Sequence, residues 1–584
     1  MNTPLLDKIN TPNDIKNMST DELNKLAEEI RFGVINHSNL VGGHFGGDLG
    51  IIEATIALHY VFDSPKDKFI FDVSHQCYPH KMLTGRKGAF LDPLNNMEIT
   101  GYTNPNESEH DFFTIGHTST SISLACGMAK ARDLKGEKYN IVAIIGDGSL
   151  SGGEALEGLN NAAVLGSNFI VLVNDNDMCI APTNGGLYKG LAELRKTKGQ
   201  SDKNIFKSMG FEYAYIEEGN NIEKMIDGLT KIKDTNKPIV LHIHTLKGKG
   251  FKPAEENKEQ YHWIMPGVAD GKVYDFGETY DTFMTNYLLE KKQKDNTIIA
   301  VSAATPGICG FTPEFRKKMG ANYTDVDIAE EHAVAYVAGL AANGAKPVLA
   351  IHSSFVQRAY DQLSQDLAIN NAPATIIVCW GAIAANDVTH LTIFDIPLIS
   401  NIPNIVYLAP TTKEEYLAML DWSVKQNKHP VVIRSPFGKV MSSDEKDTTD
   451  YSKLNKCKVT HKGQKIALIG VGNFYHLAKN IHTAIKNKFN IDATLINPVY
   501  LSGLDTEVLE NLKQNHDIVL TFEDGCLAGG YGEKIASHYG ADKMKVLNYG
   551  AHKEFTDRVS VEELYKRYHL TPELVCEDLA KLLK

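Results

Sequence analysis

IVAIIGDGSLSGGEA, residues 141–155, is an apolar β-prone run that breaks into a glycine-rich loop. Helical spacing resumes in EALEGLNNAAVLG, where Ala155, Leu156, Leu159, Ala162 and Ala163 recur on one face. A second apolar run, FIVLV at 169–173, ends in the polar NDNDM at 174–178. The pattern predicts a strand–loop–helix–strand unit with polar groups at the carboxyl ends of both strands. Open α/β sheets bind ligands at those ends. The unit therefore places Asp147 beside Asn176, although 29 positions separate them in sequence.

Further apolar runs continue the alternation: IVLHIH (239–244), TIIAVS (297–302), PVLAIH (347–352), TIIVCW (375–380), VVIR (431–434), IALIGVG (466–472), ATLINPV (493–499) and IVLTFE (518–523). Short runs that are apolar on both faces and separated by helices are the mark of buried parallel sheets. Composition shifts at the polar segment 246–290 and the aspartate-rich segment 441–456. The expected architecture is α/β, with three domains near 1–275, 290–445 and 455–584, each a mostly parallel sheet flanked by helices.

A formal net charge of −12 argues against nucleic acid or an anionic membrane as the main partner. No apolar run reaches the ~18–20 residues of a membrane span. The polar N-terminus shows no signal-peptide core, and eight scattered cysteines form no CxxC. These features predict a cytoplasmic enzyme with reduced thiols.

Three readings compete for the loop. A dinucleotide-binding GxGxxG fails because Ser151 stands at the third glycine. A plain turn leaves the clustered polar groups unexplained. The third reading is a Mg²⁺-diphosphate site, because a hard cation prefers an octahedron of oxygens. Asp147, Asn176, a backbone carbonyl and two diphosphate oxygens supply most of one, and helix N-terminal amides meet the remaining charge. A bare phosphate loop has no use for Asp147; a metal–diphosphate loop needs it.

Gly-Asp-Gly followed by a distant asparagine pair is the signature of thiamine diphosphate binding. With GGHFGGDLG (42–50), FDVSHQCYPHKMLTGR (71–86), IGHTSTSIS (115–123), NDNDMCIAP (174–182), KGKGFKPAE (247–255), DIAEEHAV (327–334), FVQRAYDQ (355–362) and FEDGCLAGGYG (522–532), the chain resembles the transketolase-like thiamine diphosphate enzymes. Among them it is most similar to the 1-deoxy-D-xylulose-5-phosphate synthase family. The resemblance implies a homodimer using pyruvate and an aldehyde or aldose phosphate, with thiamine diphosphate and Mg²⁺.

By that resemblance, Asp147, Asn176 and the carbonyl of Met178 hold the metal. His75, Gly116, His117 and Thr118 contact the cofactor, Gly148 and Ser149 sit on its diphosphate, and Phe251 and Phe355 flank its aromatic part. Glu330 activates the aminopyrimidine, with Glu331 the alternate. His44, His262 and His390 serve the reacting groups, and Arg358 and His352 lie on the substrate side.

The acceptor side departs from the family, which commonly grips glyceraldehyde 3-phosphate with two arginines. In CWGAIAANDVTHL (379–391), Cys379 or Trp380 stands in the place of one, and in SPFG (435–438) Phe437 replaces the other. His352 replaces a tyrosine, the loop aspartate appears as Asn386 or is shifted to Asp387, and Leu391 replaces a glutamine. Phe251 stands where tyrosine is usual. The segment following PTNGGLY (182–188) is short for the family. Two charge-assisted hydrogen bonds contribute about 1.5–3 kcal/mol each. Phosphate binding is then expected to weaken a hundredfold or more, unless Arg434, Lys439 or another cation substitutes. The expectations are a deoxyxylulose phosphate synthase, a related enzyme transferring a ketol or acetyl unit to an unphosphorylated or differently charged aldehyde, or, least favoured, a cofactor-binding paralogue without chemistry.

Overall fold

A computed structural model describes residues 3–92 and 99–583. The chain divides into two compact units, one of residues 1–275 with 327–329 and one of 276–326 with 330–584.

The first unit contains β1 (Gly43–His44), β2 (Lys68–Phe71), β3 (Ile141–Gly146), β4 (Phe169–Asp175), β5 (Glu212–Ile216), β6 (Pro238–His244) and β7 (Trp263–Ile264). Five of them form a parallel sheet in the order β2-β3-β4-β6-β5, and β1 pairs antiparallel with β7. The two apolar runs that suggested strands are its centre, with Gly146 opposite Asn174. Alternate residues serve opposite faces, as a strand requires. Ile141, Ala143, Ile145, Val171 and Val173 pack with Ala155, Leu159 and Ala162 of helix Gly153–Ala162. Val142, Ile144, Ile170 and Leu172 pack on the other side with Ile51, Ala54 and Leu58 of helix Gly46–Val61. Burial on both faces explains why these strands read as unbroken apolar runs.

The second unit carries two sheets. β8 (Ile298–Ser302), β9 (Tyr323–Asp325), β10 (Lys346–His352), β11 (Thr375–Cys379), β12 (Val406–Leu408) and β13 (Val431–Arg434) form an all-parallel sheet ordered β12-β13-β11-β10-β8-β9. β14 (Lys458–His461), β15 (Lys465–Gly470), β16 (Thr494–Asn497), β17 (His516–Cys526) and β18 (Lys545–Ala551) form the other, ordered β14-β16-β15-β17-β18, with only β14 antiparallel. The α/β class expected from the sequence is the class observed.

Local boundaries differ in two informative places. β11 ends at Cys379, and Trp380 turns out of the strand with φ 66°. The helix expected through residue 166 stops at Ala162, and a short 3₁₀ turn, Gly148–Ser151, precedes it. Among the described residues no helix is long and apolar enough to cross a membrane.

Candidate active site

In the first unit the carboxyl ends of β3 and β4 meet. The Asp147 amide donates to the Asn174 carbonyl at 3.1 Å, and the Met178 amide donates to Asp147 Oδ2 at 3.1 Å. Asp177 adopts φ 58°, a left-handed bend that turns the chain after β4 back toward that carboxylate. Asp147 is buried, and burial together with the nearby Asp175 pushes its carboxyl up to about 8. Asn176 is buried too, and its side-chain oxygen completes no hydrogen bond. A buried carboxylate lacking enough positive charge, beside an unsatisfied amide oxygen, is a donor set suited to a hard cation.

Asp175 has the opposite environment. Despite burial it is held down to about 2 by hydrogen bonds from His242 at 2.8 Å and Arg195 at 2.6 and 2.7 Å. The carboxylates of Asp147 and Asp175 are thus driven in opposite directions by their surroundings. Lys247 brings a buried cation, lowered to about 8 by desolvation, whose Nζ donates to the Cys179 carbonyl at 2.6 Å.

The glycine loop is shaped by close approach. A Cβ on Gly148 would lie 2.8 Å from Cys179 Sγ, and one on Gly152 would collide with Ser119 Oγ. Ser149 is buried, and its carbonyl accepts from Ser119 Oγ at 2.9 Å. Asp72 fastens the neighbouring loop by accepting from the amides of Ser119 and Ser121 at 2.8 and 3.0 Å. Gly116 is buried and His117 and Thr118 half-buried on that loop, just before helix Ser121–Lys135. Tyr188 donates to the Gly148 carbonyl at 3.2 Å. Ser151 accepts from the Ile328 amide at 3.1 Å, and Asp327 accepts from the Asn184 amide at 3.1 Å.

Three expected histidines converge in the same unit. His44 lies in β1 and His262 just before β7, so strand pairing brings them together. The rings of His44 and His75 stack at 4.1 Å and 7°, and His262 stands edge-on to both at 5.4 and 5.2 Å. Burial, then Lys247 and the other two imidazoles, lowers His262 well below the usual histidine range, so it is neutral at pH 7. Phe251 packs against Phe45 at 5.3 Å and Tyr261 at 5.8 Å.

The second unit holds a separate group. Glu330 opens helix Glu330–Ala342 and is 4% exposed, while Glu331 is only half-buried. Burial raises the Glu330 carboxyl, opposed by Arg358, whose Nη1 stands 3.6 Å away. Desolvation therefore outweighs both the guanidinium and the helix N-terminus.

An aromatic file runs from the end of β10 to the end of β13. His390 meets Phe355 at 5.6 Å, Phe355 meets His352 at 5.0 Å, His352 meets Trp380 at 5.6 Å and Trp380 meets Phe437 at 5.4 Å. Trp380 and Phe437 are 39% and 41% exposed. Cys379 is buried in the apolar core behind β11, which removes it from the surface and leaves Trp380 in the position that the sequence left open. Leu391 is likewise a core residue, packed with Ile383 and Ile393. Asn386 braces the loop by donating to the His390 carbonyl at 2.9 Å and Thr392 Oγ1 at 3.0 Å.

Arg434 is committed elsewhere. It is buried, donates from Nε to Asp395 at 2.6 Å, and pairs with Asp524 through Nη1. It therefore does not replace an exposed cation. Lys439 is exposed, two residues beyond Phe437.

Sequence reasoning named neither Asp72, Asp175, Lys247 nor Tyr188. The first three lie within quoted motifs, but their roles depend on partners far along the chain. Tyr188 had no signal beyond its place after the NGG turn.

Two comparisons bear on this arrangement. Residues 6–204 and 196–245 match the family model described as 1-deoxy-D-xylulose-5-phosphate synthase. Residues 279–441 match the transketolase pyrimidine-binding domain, and 455–575 the transketolase C-terminal domain. A 1-deoxy-D-xylulose-5-phosphate synthase of Clostridium acetobutylicum is 37% identical over 98% of both chains, and that of Caldanaerobacter subterraneus is 37% identical over 99% of both. That of Clostridium tetani is 35% identical over 99% of both.

Proposed function

This chain belongs to the 1-deoxy-D-xylulose-5-phosphate synthase family, and on that premise we propose that it condenses pyruvate with D-glyceraldehyde 3-phosphate, releasing carbon dioxide and 1-deoxy-D-xylulose 5-phosphate. The observation that carries the reading is the buried Asp147 carboxylate set against Asn176, whose oxygen has no partner. Those groups fit Mg²⁺ with the diphosphate of thiamine diphosphate, the carbonyl of Met178 serving as a third protein ligand. When bound, thiamine diphosphate supplies the electron sink that lets pyruvate lose carbon dioxide and its remaining carbons join an aldehyde.

The protein's own groups do the rest. Residues 1–275 hold the diphosphate and metal. Gly148 and Ser149 line the phosphates, and His75, Gly116, His117 and Thr118 contact the cofactor. In residues 290–445, Glu330 binds the aminopyrimidine ring, and its raised carboxyl suits it to hold a proton at a ring nitrogen. Phe251 and Phe355 flank the aromatic part, and Arg358 and His352 face substrate. His44, His262 and His390 exchange protons with substrate oxygens; His262, neutral at pH 7, is a proton acceptor. Residues 455–584 have a structural role. The family supports a cytoplasmic homodimer whose product enters isoprenoid and thiamine synthesis.

The test is product formation from pyruvate and glyceraldehyde 3-phosphate with thiamine diphosphate and Mg²⁺. Carbon dioxide release that requires an aldehyde supports the reading; cofactor-bound protein without turnover on any acceptor refutes it.

One observation favours a second reading of the acceptor. At the proposed acceptor mouth, beyond the ends of β11 and β13, Trp380 and Phe437 pack together and are exposed, Lys439 is exposed two residues further on, and Arg434 is locked between Asp395 and Asp524. An aromatic face suits the C–H surface of a neutral aldehyde better than a phosphate dianion. Comparing kcat/KM for D-glyceraldehyde and its phosphate separates the two, and strong preference for the phosphate excludes the second.

A further inference from the structure

The third sheet carries a convergence of ligand atoms that the proposed reaction does not use. His461 closes β14, His482 lies in helix Phe474–Phe489, and Asp492 sits between that helix and β16. One imidazole nitrogen from each histidine and a carboxylate oxygen lie within 4.8 Å of one another. His461 Nε2 is 2.9 Å from Asp492 Oδ2, and His482 Nε2 is 3.5 Å from Asp492 Oδ1. We propose that His461, His482 and Asp492 form a surface site for a divalent transition-metal ion of the zinc class, independent of the active site.

The geometry is close to what such an ion needs. Zinc binds nitrogen and oxygen at about 2.0–2.2 Å, which sets tetrahedral ligand atoms roughly 3.3–3.5 Å apart. His461 Nε2 lies against one Asp492 oxygen and His482 Nε2 against the other. With one oxygen as the ligand, the three atoms lie within 4.8 Å of one another, so small side-chain rotations close the set on an ion. The two imidazole rings are already 4.9 Å apart at 66°. Two imidazoles and one carboxylate select zinc, cobalt or nickel over the oxygen-seeking Mg²⁺ and Ca²⁺. Three protein ligands leave a position for water.

The scaffold holds these groups in place. Strand β14 changes register against β16 between Val459 and His461, which re-aims His461 at the sheet edge. The backbone of Asp492 is clamped by the turn between β14 and β15. Its carbonyl accepts from the Gln464 amide at 2.9 Å and presses on Gly463, where a Cβ would collide with it. His482 Nε2 completes no hydrogen bond.

Lys486 occupies the place of the cation. Its Nζ is 3.0 Å from Asp492 Oδ1, and both side chains are about half exposed, at 56% and 42%. An exposed pair of this kind is weak and yields to a multidentate ion. Lys486 is therefore a competitor of the metal, which gives the site a distinctive mutational signature.

The experiment is titration of metal-stripped full-length protein with Zn²⁺ by calorimetry, repeated with Co²⁺ by visible absorption. His44, His75 and His262 form the other group of converging ligands among the described residues, so stoichiometry and not mere binding is read. The expected result is the loss of one equivalent per chain, or at least tenfold weaker binding, in both His461→Ala and His482→Ala. Lys486→Met should tighten binding at least threefold, and turnover should be unchanged in all three variants. A Zn²⁺-dependent rise in melting temperature should appear in wild type and vanish in the histidine variants. Equal stoichiometry and affinity in wild type and both histidine variants, or weaker binding in Lys486→Met, would overturn the proposal.

Discussion

Glu330 and Glu331 are neighbours of one chemical type, and only burial separates them. Glu330 is enclosed and carries a raised carboxyl, while Glu331 is half-buried on the next helical position. A group that must hold a proton near neutral pH needs the enclosed environment. Glu330→Gln is therefore expected to lower kcat by about 10²–10⁴-fold, the usual worth of a positioned acid or base. Proton exchange at the cofactor's reactive carbon should fall in parallel, and Glu331→Gln should leave both nearly unchanged. The opposite ranking in an NMR exchange assay would transfer the role to Glu331. Asp147 gives a second contrast at this scale. Replacing it with asparagine removes the one negative charge in the proposed metal set. Thiamine diphosphate affinity should drop at least tenfold and lose its dependence on Mg²⁺. Calorimetry with and without a chelator checks this, and an unchanged Mg²⁺ dependence would remove Asp147 from the metal site.

Helix Gly46–Val61 shows what an element can hide. It is buried along nearly its whole length and carries His59 into the core, where His59 Nε2 meets His80 Nδ1 at 2.9 Å. His80 Nε2 meets Asp111 at 2.9 Å, and Arg86 closes on that carboxylate at 2.6 Å. Burial, then His80, lowers His59 well below the ordinary histidine value of 6.5, so it stays neutral in the folded protein where the unfolded chain takes up a proton. Stability from this group is present above pH 6.5 and is lost as pH falls below it. Between pH 7.5 and 5.5 the loss from His59 alone is on the order of 1 kcal/mol, and the shift of His80 has the same sign. Urea unfolding followed at both pH values checks this, and a flat profile would contradict the neutral assignment. None of this network was legible beforehand, because a histidine in an apolar helix gives no sign of the strand or loop it will face. The strands around Asp147 were legible because burial on both faces writes itself as a continuous apolar run. β2, β5 and β12 went unread because they are short or mixed in character, and their strand state is imposed by neighbours. The same limit left Cys379 and Trp380 unresolved, since only the φ of 66° at Trp380 shows which side chain leaves the strand.

Over the whole molecule the proposed chemistry divides unequally between family-like and altered residues. Apart from Phe251, the proposed cofactor-side residues of the first unit keep the family's motifs; there Asp175 is paired with Arg195 and His242, while Asp147 is left short of positive charge. The second unit retains Glu330 and Arg358, but its mouth is aromatic. Trp380 and Phe437 touch, and Arg434, at the end of β13, is bound to two aspartates and enclosed. Freeing Arg434 would leave Asp395 and Asp524 as buried, uncompensated charges, so the fold resists lending that cation to a ligand. Acceptor selectivity should therefore respond to new charge at the mouth and not to changes at Asp147. Phe437→Arg places a guanidinium at an exposed position without disturbing the core. A charge-assisted bond to phosphate contributes about 1.5–3 kcal/mol, so kcat/KM for glyceraldehyde 3-phosphate should rise about 10–100-fold. The value for unphosphorylated glyceraldehyde should stay the same or fall, because the substitution removes an aromatic surface. Thiamine diphosphate affinity should not change. Steady-state kinetics with both aldehydes at saturating pyruvate measures the split. If Phe437→Arg leaves the phosphate-to-aldehyde ratio unchanged in protein with normal cofactor binding, the aromatic mouth does not set the acceptor.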